Sequence, residues 1–170
     1  MPAPRLAFDT NLLFYAANED SPFHSGAAAF LASIDADEGV ALSELVLVEF
    51  YRLLRNPVIN ENPLAAEAAA EVIETYRRHP RWLLVSLPVD QRRLHDRLWQ
   101  VATRPQFAYR RIYDARLALA LVQQGVTEFA TVNVKDFQDL GFSRVWNPLE
   151  DGWEPPGVAK AVPEGPTTAG

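Results

Sequence analysis

The sequence predicts an α/β fold, with a central, mostly parallel sheet of short strands flanked by helices. Short apolar runs alternate with longer stretches that carry apolar residues at helical spacing, which is typical of strands joined by crossover helices. The chain has 170 residues, 48% of them hydrophobic. This is enough to bury one substantial core rather than two, so we expect one domain over residues 1–150.

The first elements can be predicted in chain order from these patterns. The apolar run Leu6 to Phe8 predicts a buried strand, and a helix is expected to begin near Thr10. The spacing from Phe23 to Ile34 predicts a second helix. A third helix is predicted over Ser43 to Leu54, because Ser43 is a good N-cap residue and an Asn-Pro step follows the segment.

The second half of the domain continues the alternation. Helices are predicted over Leu64 to Arg78, Gln91 to Ala102 and Ile112 to Gln124, with Gly125 ending the last of them. The segments RWLLVSL, EFATV and SRVW predict further short strands. Residues 151–170 are rich in Pro and Gly and poor in large apolar residues, which predicts a flexible C-terminal tail.

Composition excludes several kinds of site. The chain has no cysteine, which excludes disulfides, thiolate zinc sites and cysteine nucleophiles. The opening MPAPRLAFD lacks the apolar stretch of a signal peptide. No later apolar run approaches the roughly 20 residues that span a bilayer. We therefore expect a cytoplasmic protein with no membrane partner.

The charge is unevenly distributed along the chain. The formal net charge is −6, yet residues 77–116 contain ten arginines and only three acids. The planar guanidinium group of arginine suits phosphate, so this segment is a candidate phosphate-binding region. The more common explanation of such a pattern is a solvated helix face, or arginines paired with acids elsewhere in the chain.

Two acids in the first half of the chain stand out. Asp9 follows the first strand, at the sheet edge where open α/β sheets bind ligands, although an N-cap of the next helix would look the same. Glu49 lies between Leu45 and Leu53 at helical spacing, so we expect its carboxylate to project from an apolar stripe. Such a carboxylate needs a cation or strong donors, and an ion pair with Arg52 is the alternative to a functional role.

Two further acids lie in the second half. Asp114 shares a helix face with Leu117 and Leu121, and N-capping is again the alternative explanation. Asn133 and Asp136 follow a short strand, where a turn-forming Asn and a surface Asp would look the same. Converging carboxylates repel one another, and a divalent cation relieves that repulsion. Oxygen ligands without Cys or clustered His favour Mg²⁺ or Mn²⁺ over zinc.

The order of these segments resembles that of the PIN-domain nucleases, and most closely the VapC-type toxins of bacterial toxin–antitoxin pairs. The segments FDTN, LVEF within a helix, YDARLALA and TVNVKDF occur in the family's order, over about residues 6–146. The resemblance implies a PIN-like fold and a metal-dependent endoribonuclease. It also implies that the catalytic acids, which hold Mg²⁺ or Mn²⁺, are Asp9, Glu49, Asp114 and Asp136.

The resemblance identifies polar residues that support the acids, namely Thr10, Asn11, Thr131 and Asn133. Asn133 stands where many family members have Asp, and its neutral amide supplies no charge. Whether one or two metal ions bind therefore stays open.

The resemblance also implies partners: an RNA substrate, a cognate antitoxin that covers the acidic site, and a second copy in a homodimer. Phe107 and Tyr109 are candidates for stacking on an unpaired base, although packing within a loop is the more common role for such aromatics. The candidate RNA-binding arginines, which would guide the RNA backbone toward an otherwise repulsive acidic pocket, are Arg92, Arg93, Arg97, Arg110 and Arg111.

Three other functions remain open. A DNA nuclease of the flap-nuclease type would share the acids, but such enzymes are usually larger. A phosphatase with an aspartyl nucleophile would want a second Asp two positions after Asp9, where this chain has Asn11. A non-catalytic PIN fold that serves only as a binding module can be separated from an enzyme only by an assay.

Overall fold

The computed structural model describes residues 3–150 and contains a five-stranded sheet in which every strand pair is parallel. The strand order is β3-β2-β1-β4-β5, so β1 lies at the centre. The predicted parallel sheet is confirmed, and the tail predicted over 151–170 lies outside the described residues. The strands are β1 (Leu6–Phe8), β2 (Val40–Ser43), β3 (Leu83–Val85), β4 (Glu128–Ala130) and β5 (Arg144–Trp146).

Helices flank this sheet, and those predicted from periodicity begin and end within two residues of their predicted bounds. A single 3₁₀ turn, Tyr109–Arg111, precedes the sixth helix. No helix within residues 3–150 is both long and apolar enough to cross a membrane. The helices are α1 (Thr10–Ala17), α2 (His24–Ile34), α3 (Glu44–Arg55), α4 (Ala66–Arg77), α5 (Gln91–Ala102), α6 (Ile112–Gln123) and α7 (Val134–Phe137).

Two elements, β2 and α7, were not expected from the sequence. The four residues of β2 run directly into α3, so their apolar character merges with the start of the helical pattern. The boundary is marked by Ser43, whose hydroxyl accepts a hydrogen bond from the Leu45 N–H at 3.2 Å, as an N-cap does. A single turn of four residues, as in α7, is too short to show helical periodicity.

The central strands are buried along their whole length, which explains why they appear in the sequence as continuous apolar runs. Phe8 and Phe129, on β1 and β4, are fully buried. At the carboxyl end of this pair, the Asp9 N–H donates to the carbonyl of Ala130 at 2.9 Å. The residues that follow β1 and β4 therefore meet at one edge of the sheet.

Candidate functional site

Asp9 lies at the junction of β1 and α1, and its carboxylate is buried, with the residue only 7% exposed. One oxygen caps α1 by accepting the backbone N–H of Thr10 at 2.8 Å. The other accepts the hydroxyl of Thr131 at 2.7 Å and the side-chain amide of Asn11 at 3.1 Å. Asp9 is thus a helix cap, as the simpler interpretation predicted, and at the same time a buried acid at the sheet edge.

Burial raises the pKa of Asp9 from 3.8 to about 6. The hydrogen bonds from Thr131 and Thr10 lower this pKa, and the negative charges of Asp114 and Glu49 raise it further. Asp114 and Glu49 therefore lie close enough to Asp9 to disfavour its ionisation. A site of this kind favours either a proton or a cation.

Asp114 occupies the third position of α6, where Arg111 is the N-cap residue, so the capping explanation of Asp114 is wrong. Leu117 and Leu121 are buried, as the helical spacing predicted. Burial raises the pKa of Asp114 to about 6, and the charges of Glu49 and Asp136 raise it further, while Arg111 lowers it.

Glu49 is more exposed than the sequence predicted, since 47% of its side chain is accessible. The stripe through Leu45, Glu49 and Leu53 lies at the edge of the buried face rather than at its centre. The reason is the rotation of α3, because its fully buried residues are Val46, Leu47, Phe50 and Leu54.

Glu49 has two partners. One of its oxygens accepts the hydroxyl of Thr10 at 3.1 Å, which links Glu49 to the residue that follows Asp9. The other lies 3.6 Å from the guanidinium of Arg52, so the ion pair offered as the alternative explanation is present. Both side chains of that pair are largely exposed, and such pairs contribute little stability.

Asp136 is held by Arg111. The Arg111 guanidinium donates to the backbone carbonyl of Asp136 at 2.6 Å and lies 3.5 Å from its carboxylate. It also pairs with Asp139 at 3.1 Å. With only 16% of its side chain exposed, Arg111 makes mainly protein contacts, although the sequence suggested it as a contact for RNA.

A cleft of about 820 Å³ lies over these acids. Asp9 does not line it, but Thr10 connects Asp9 to Glu49. Within residues 3–150, no group of three or more Asp, Glu or His side chains is arranged to hold a metal ion by itself. The polar residues that line the cleft are Glu49, Asp114, Asn133, Asp136, Arg52, Arg110, Arg111 and Arg116; the apolar and aromatic ones are Leu45, Val48, Leu117 and Tyr113.

The predicted supporting residues lie next to the acids. Thr131 is fully buried and bridges Asp9 to the backbone N–H of Asn133, which donates to the Thr131 hydroxyl at 3.0 Å. Asn133 itself is exposed and lines the cleft. The side-chain oxygen of Asn11 is buried and accepts no hydrogen bond. An orphaned acceptor of this kind beside a buried acid is typical of a site that takes a cation or a water.

The candidate RNA-binding arginines fall into two groups. Arg92, Arg93 and Arg97 are exposed on α5, around a groove of about 350 Å³ that shares no residue with the acidic cleft. Arg110 is exposed and lines the cleft itself.

Two further arginines line the cleft: Arg52, which the sequence suggested only as an ion-pair partner of Glu49, and Arg116, which was not among the candidate site residues. Arg52 lies three residues after Glu49, so its proximity to that acid follows from helical spacing, whereas Arg116 lies only two residues after Asp114 and spacing does not bring these two side chains together.

Comparison with known families identifies this architecture. The family model described as PIN domain matches residues 6–142. Two curated proteins, both named Ribonuclease VapC24, come from the CDC 1551 / Oshkosh and ATCC 25618 / H37Rv strains of Mycobacterium tuberculosis. Each is 50% identical to this chain over 145 residues, which covers 85% of this chain and 97% of the relative.

Three solved structures have the same fold. Mycobacterium tuberculosis VapC20, a sarcin-ricin loop cleaving toxin, aligns with a TM-score of 0.60 at 21% identity, over 81% of this chain and 95% of its own. FitAB bound to an IR36 DNA fragment gives 0.57 at 16% identity, over 85% and 96%. VapBC2 from Rickettsia felis, bound to a promoter DNA fragment, gives 0.56 at 14% identity, over 82% and 97%. The predicted PIN-like fold is confirmed.

Proposed function

Because the chain belongs to the PIN-domain family, and to the VapC ribonucleases within it, we propose that it is a metal-dependent endoribonuclease and the toxin of a VapBC-type toxin–antitoxin pair. One observation carries the catalytic part of this proposal. Asp9, Glu49, Asp114 and Asp136 come from four separate places in the chain, and burial together with the charges of neighbouring members of this set raises the pKa of Asp9 and of Asp114.

The donor set fits a hard divalent cation. Carboxylate oxygens and an amide oxygen are ligands that Mg²⁺ and Mn²⁺ accept, and each ionised acid gains from a nearby positive charge. Mg²⁺ keeps several of its waters and takes only one or two carboxylates from the protein, which agrees with acids that are near one another but not closely clustered. Asp114 and Asp136 would hold the ion, with Asp9 and Glu49 beside them.

The protein's own residues would fix the positions of these acids. Thr131 and Asn11 hold one oxygen of Asp9, and Thr10 holds Glu49. When bound, the ion would activate the attacking water and neutralise the charge that develops on the phosphate. Neutral Asn133 lowers the negative charge available for a second ion.

Cations at the cleft would receive the RNA. Arg52, Arg110 and Arg116 line the same cleft as the acids and would contact phosphates on either side of the scissile bond. The more distant group on α5, with Arg92, Arg93 and Arg97, would extend this contact along the RNA backbone.

We include the partners in the same proposal. The solved neighbours FitAB and VapBC2 support a cognate antitoxin, and an acidic cleft would receive a basic antitoxin segment. A homodimer and a cytoplasmic location are further parts of the proposal.

The test is a cleavage assay on labelled single-stranded RNA, single-stranded DNA and duplex DNA, with Mg²⁺, with Mn²⁺ and with chelator. Wild-type protein should cleave RNA only with metal, and Asp114→Asn should lose activity by orders of magnitude. The matched control is Asp90→Asn, which alters an exposed acid outside the cleft.

Cleavage of DNA instead of RNA would favour the flap-nuclease alternative. If wild-type protein binds RNA but cleaves none of the substrates, the result would favour a non-catalytic binding module. If RNA is cleaved, mapping the new 5′ ends in cells that lack the antitoxin would identify the substrate.

A further inference from the structure

The acidic cleft contains an apolar surface that metal binding and phosphate binding do not explain. Val48 on α3 and Tyr113 on α6 both line it, and they are 69% and 74% exposed. Leu45 and Leu117 extend the same lining. Within residues 3–150, the side chain of Tyr113 makes no hydrogen bond and no ring contact. Neither exposed side chain is therefore used in packing the core.

The two exposed residues have matching positions relative to the acids. Val48 directly precedes Glu49, and Tyr113 directly precedes Asp114. Consecutive side chains on a helix point in different directions, but both members of each pair line the cleft, so each exposed side chain shares the cleft with a candidate metal ligand.

Each helix also supplies an arginine to the same cleft. Arg52 lies four residues after Val48 on α3, and Arg116 lies three residues after Tyr113 on α6. Residues at these separations are neighbours on a helix surface. The helices α3 and α6 therefore each supply the cleft with an exposed apolar or aromatic side chain, an acid and an arginine.

This combination matches the parts of one nucleotide. Arginines suit the phosphate, the acids suit the metal ion at the scissile bond, and an exposed aromatic ring in the same cleft as an exposed aliphatic side chain suits the flat face of a base. A base inside a duplex is already stacked on its neighbours and must be extruded before it can enter such a site.

We propose that Tyr113 and Val48 form a subsite that contacts an unpaired nucleobase next to the scissile phosphate. This inference rests on the proposed nuclease function of the same cleft. Tyr113 is a contact for the base, and the sequence pointed instead to Phe107 and Tyr109. Phe107 lies under the guanidinium of Arg111, 5.5 Å from it, and Tyr109 does not line the cleft.

Binding should be measured in chelator, where cleavage cannot interfere, by fluorescence anisotropy with short oligo(U), oligo(A) and a blunt RNA duplex. Tyr113→Ala should bind the single strands about 5- to 150-fold more weakly, the range expected for one lost stacking contact. Its affinity for the duplex and its salt dependence should stay the same. Tyr113→Phe keeps the ring and should bind as wild type does.

Two controls separate stacking from charge and from exposure. Tyr109→Ala removes a tyrosine that is even more exposed, 89% accessible, and lies outside the cleft, and it should leave binding unchanged. Arg110→Gln should weaken binding of single strands and duplex alike and reduce the salt slope by about 0.7 for a single strand. A fluorescent adenine analogue within oligo(A) should be quenched by wild type and by Tyr113→Phe, but not by Tyr113→Ala.

Unchanged single-strand affinity in Tyr113→Ala, with its melting temperature retained, would overturn the subsite. If that variant also changed from dimer to monomer in size-exclusion chromatography, Tyr113 would belong to a protein interface instead. The cleavage assay distinguishes this failure from failure of the proposed function. Wild type that does not cleave RNA refutes the nuclease, whereas cleavage with normal binding by Tyr113→Ala refutes only the base subsite.

Discussion

Asp9 caps a helix and carries a buried charge, and a substitution can separate these two roles. Asn caps a helix about as well as Asp, so Asp9→Asn keeps most of the capping and removes the charge. Above pH 6 and in chelator, we expect the variant to be as stable as wild type or more stable, because one repelling carboxylate is gone. Mg²⁺ should raise the melting temperature of wild type much more than that of the variant, and RNA cleavage should fall by orders of magnitude.

The control for this experiment is a second capping aspartate. Asp90 caps α5 by accepting the Arg93 N–H at 2.9 Å, and it lies outside the acidic cleft. Asp90→Asn should leave both the metal-induced shift and cleavage unchanged. Equal metal-induced shifts in wild type and Asp9→Asn, with cleavage retained, would leave Asp9 with capping as its only role.

The raised pKa of Asp9 predicts how stability depends on pH. Its pKa is about 6 in the folded protein against an ordinary 3.8, so between these values the folded state binds more protons than the unfolded chain. Stability then falls as pH rises through this window. We expect metal-free wild type to lose up to about 3 kcal/mol relative to Asp9→Asn from about pH 4 to pH 6.

With Mg²⁺ present the sign reverses, because the ion binds the ionised acids and its stabilising effect grows across the same window. The measurement is a pH series of melting curves for both proteins, in chelator and in Mg²⁺. A stability difference between the proteins that is flat or rising with pH in chelator would contradict the raised pKa.

Among the secondary structure elements, α7 is joined to α6 by the side chain of Arg111. Arg111 precedes α6 and contacts both Asp136 and Asp139, so it joins the short helix to the element that carries Asp114. Arg111→Gln should lower the free energy of unfolding by about 1–3 kcal/mol, as lost hydrogen bonds to charged groups do. It should also weaken Mg²⁺ binding about 10- to 100-fold, because Asp136 loses the group that orients it.

Arg104→Gln is the matched control for this change. Arg104 pairs with Asp139 at 2.7 Å but does not contact Asp136. The side chains of Arg104 and Asp139 are both about half exposed. We expect a change of less than about 1 kcal/mol and unchanged Mg²⁺ affinity by isothermal titration. Similar losses of affinity in both variants would mean that Arg111 acts through general stability rather than by orienting Asp136.

These elements also indicate how far sequence reasoning extends. The position of Asp9 could be predicted because the change from an apolar run to a helical pattern is local and is visible within a few residues. The exposure of Glu49 could not be predicted, because it depends on how α3 is rotated against the core. A difference of one residue in sequence position turns a side chain by about 100° around the helix. The roles of Tyr113 and Arg116 depend on which side chains face α3 across the cleft, and no periodicity encodes that contact.

At the scale of the whole molecule, the candidate RNA-binding arginines lie on two surfaces, one in the cleft and one on α5. If RNA contacts both surfaces, the triple replacement of Arg92, Arg93 and Arg97 by Gln should weaken RNA binding. It should also reduce the slope of log affinity against log salt concentration by up to about 2, at about 0.7 per single-strand phosphate. The control replaces three exposed arginines outside α5 and outside the cleft, Arg55, Arg78 and Arg81, with Gln. The measurement is RNA affinity in chelator at several salt concentrations. Equal slopes in the two triple variants would mean that α5 adds only general charge.

During translation, β1 is synthesised long before β4, the strand that lies next to it in the sheet. Leu6 pairs with Glu128, and Asp9 bonds to Thr131 across 122 residues of chain. At about 5–20 residues per second, roughly 6 to 24 s of synthesis separate the two partners. During that time Asp9 exists without Thr131 or Asp136, and the central strand lacks one of its two neighbours. The unfinished chain therefore cannot assemble the proposed nuclease site, and the RNA of the ribosome that makes it is exposed to cleavage only once the domain is nearly complete.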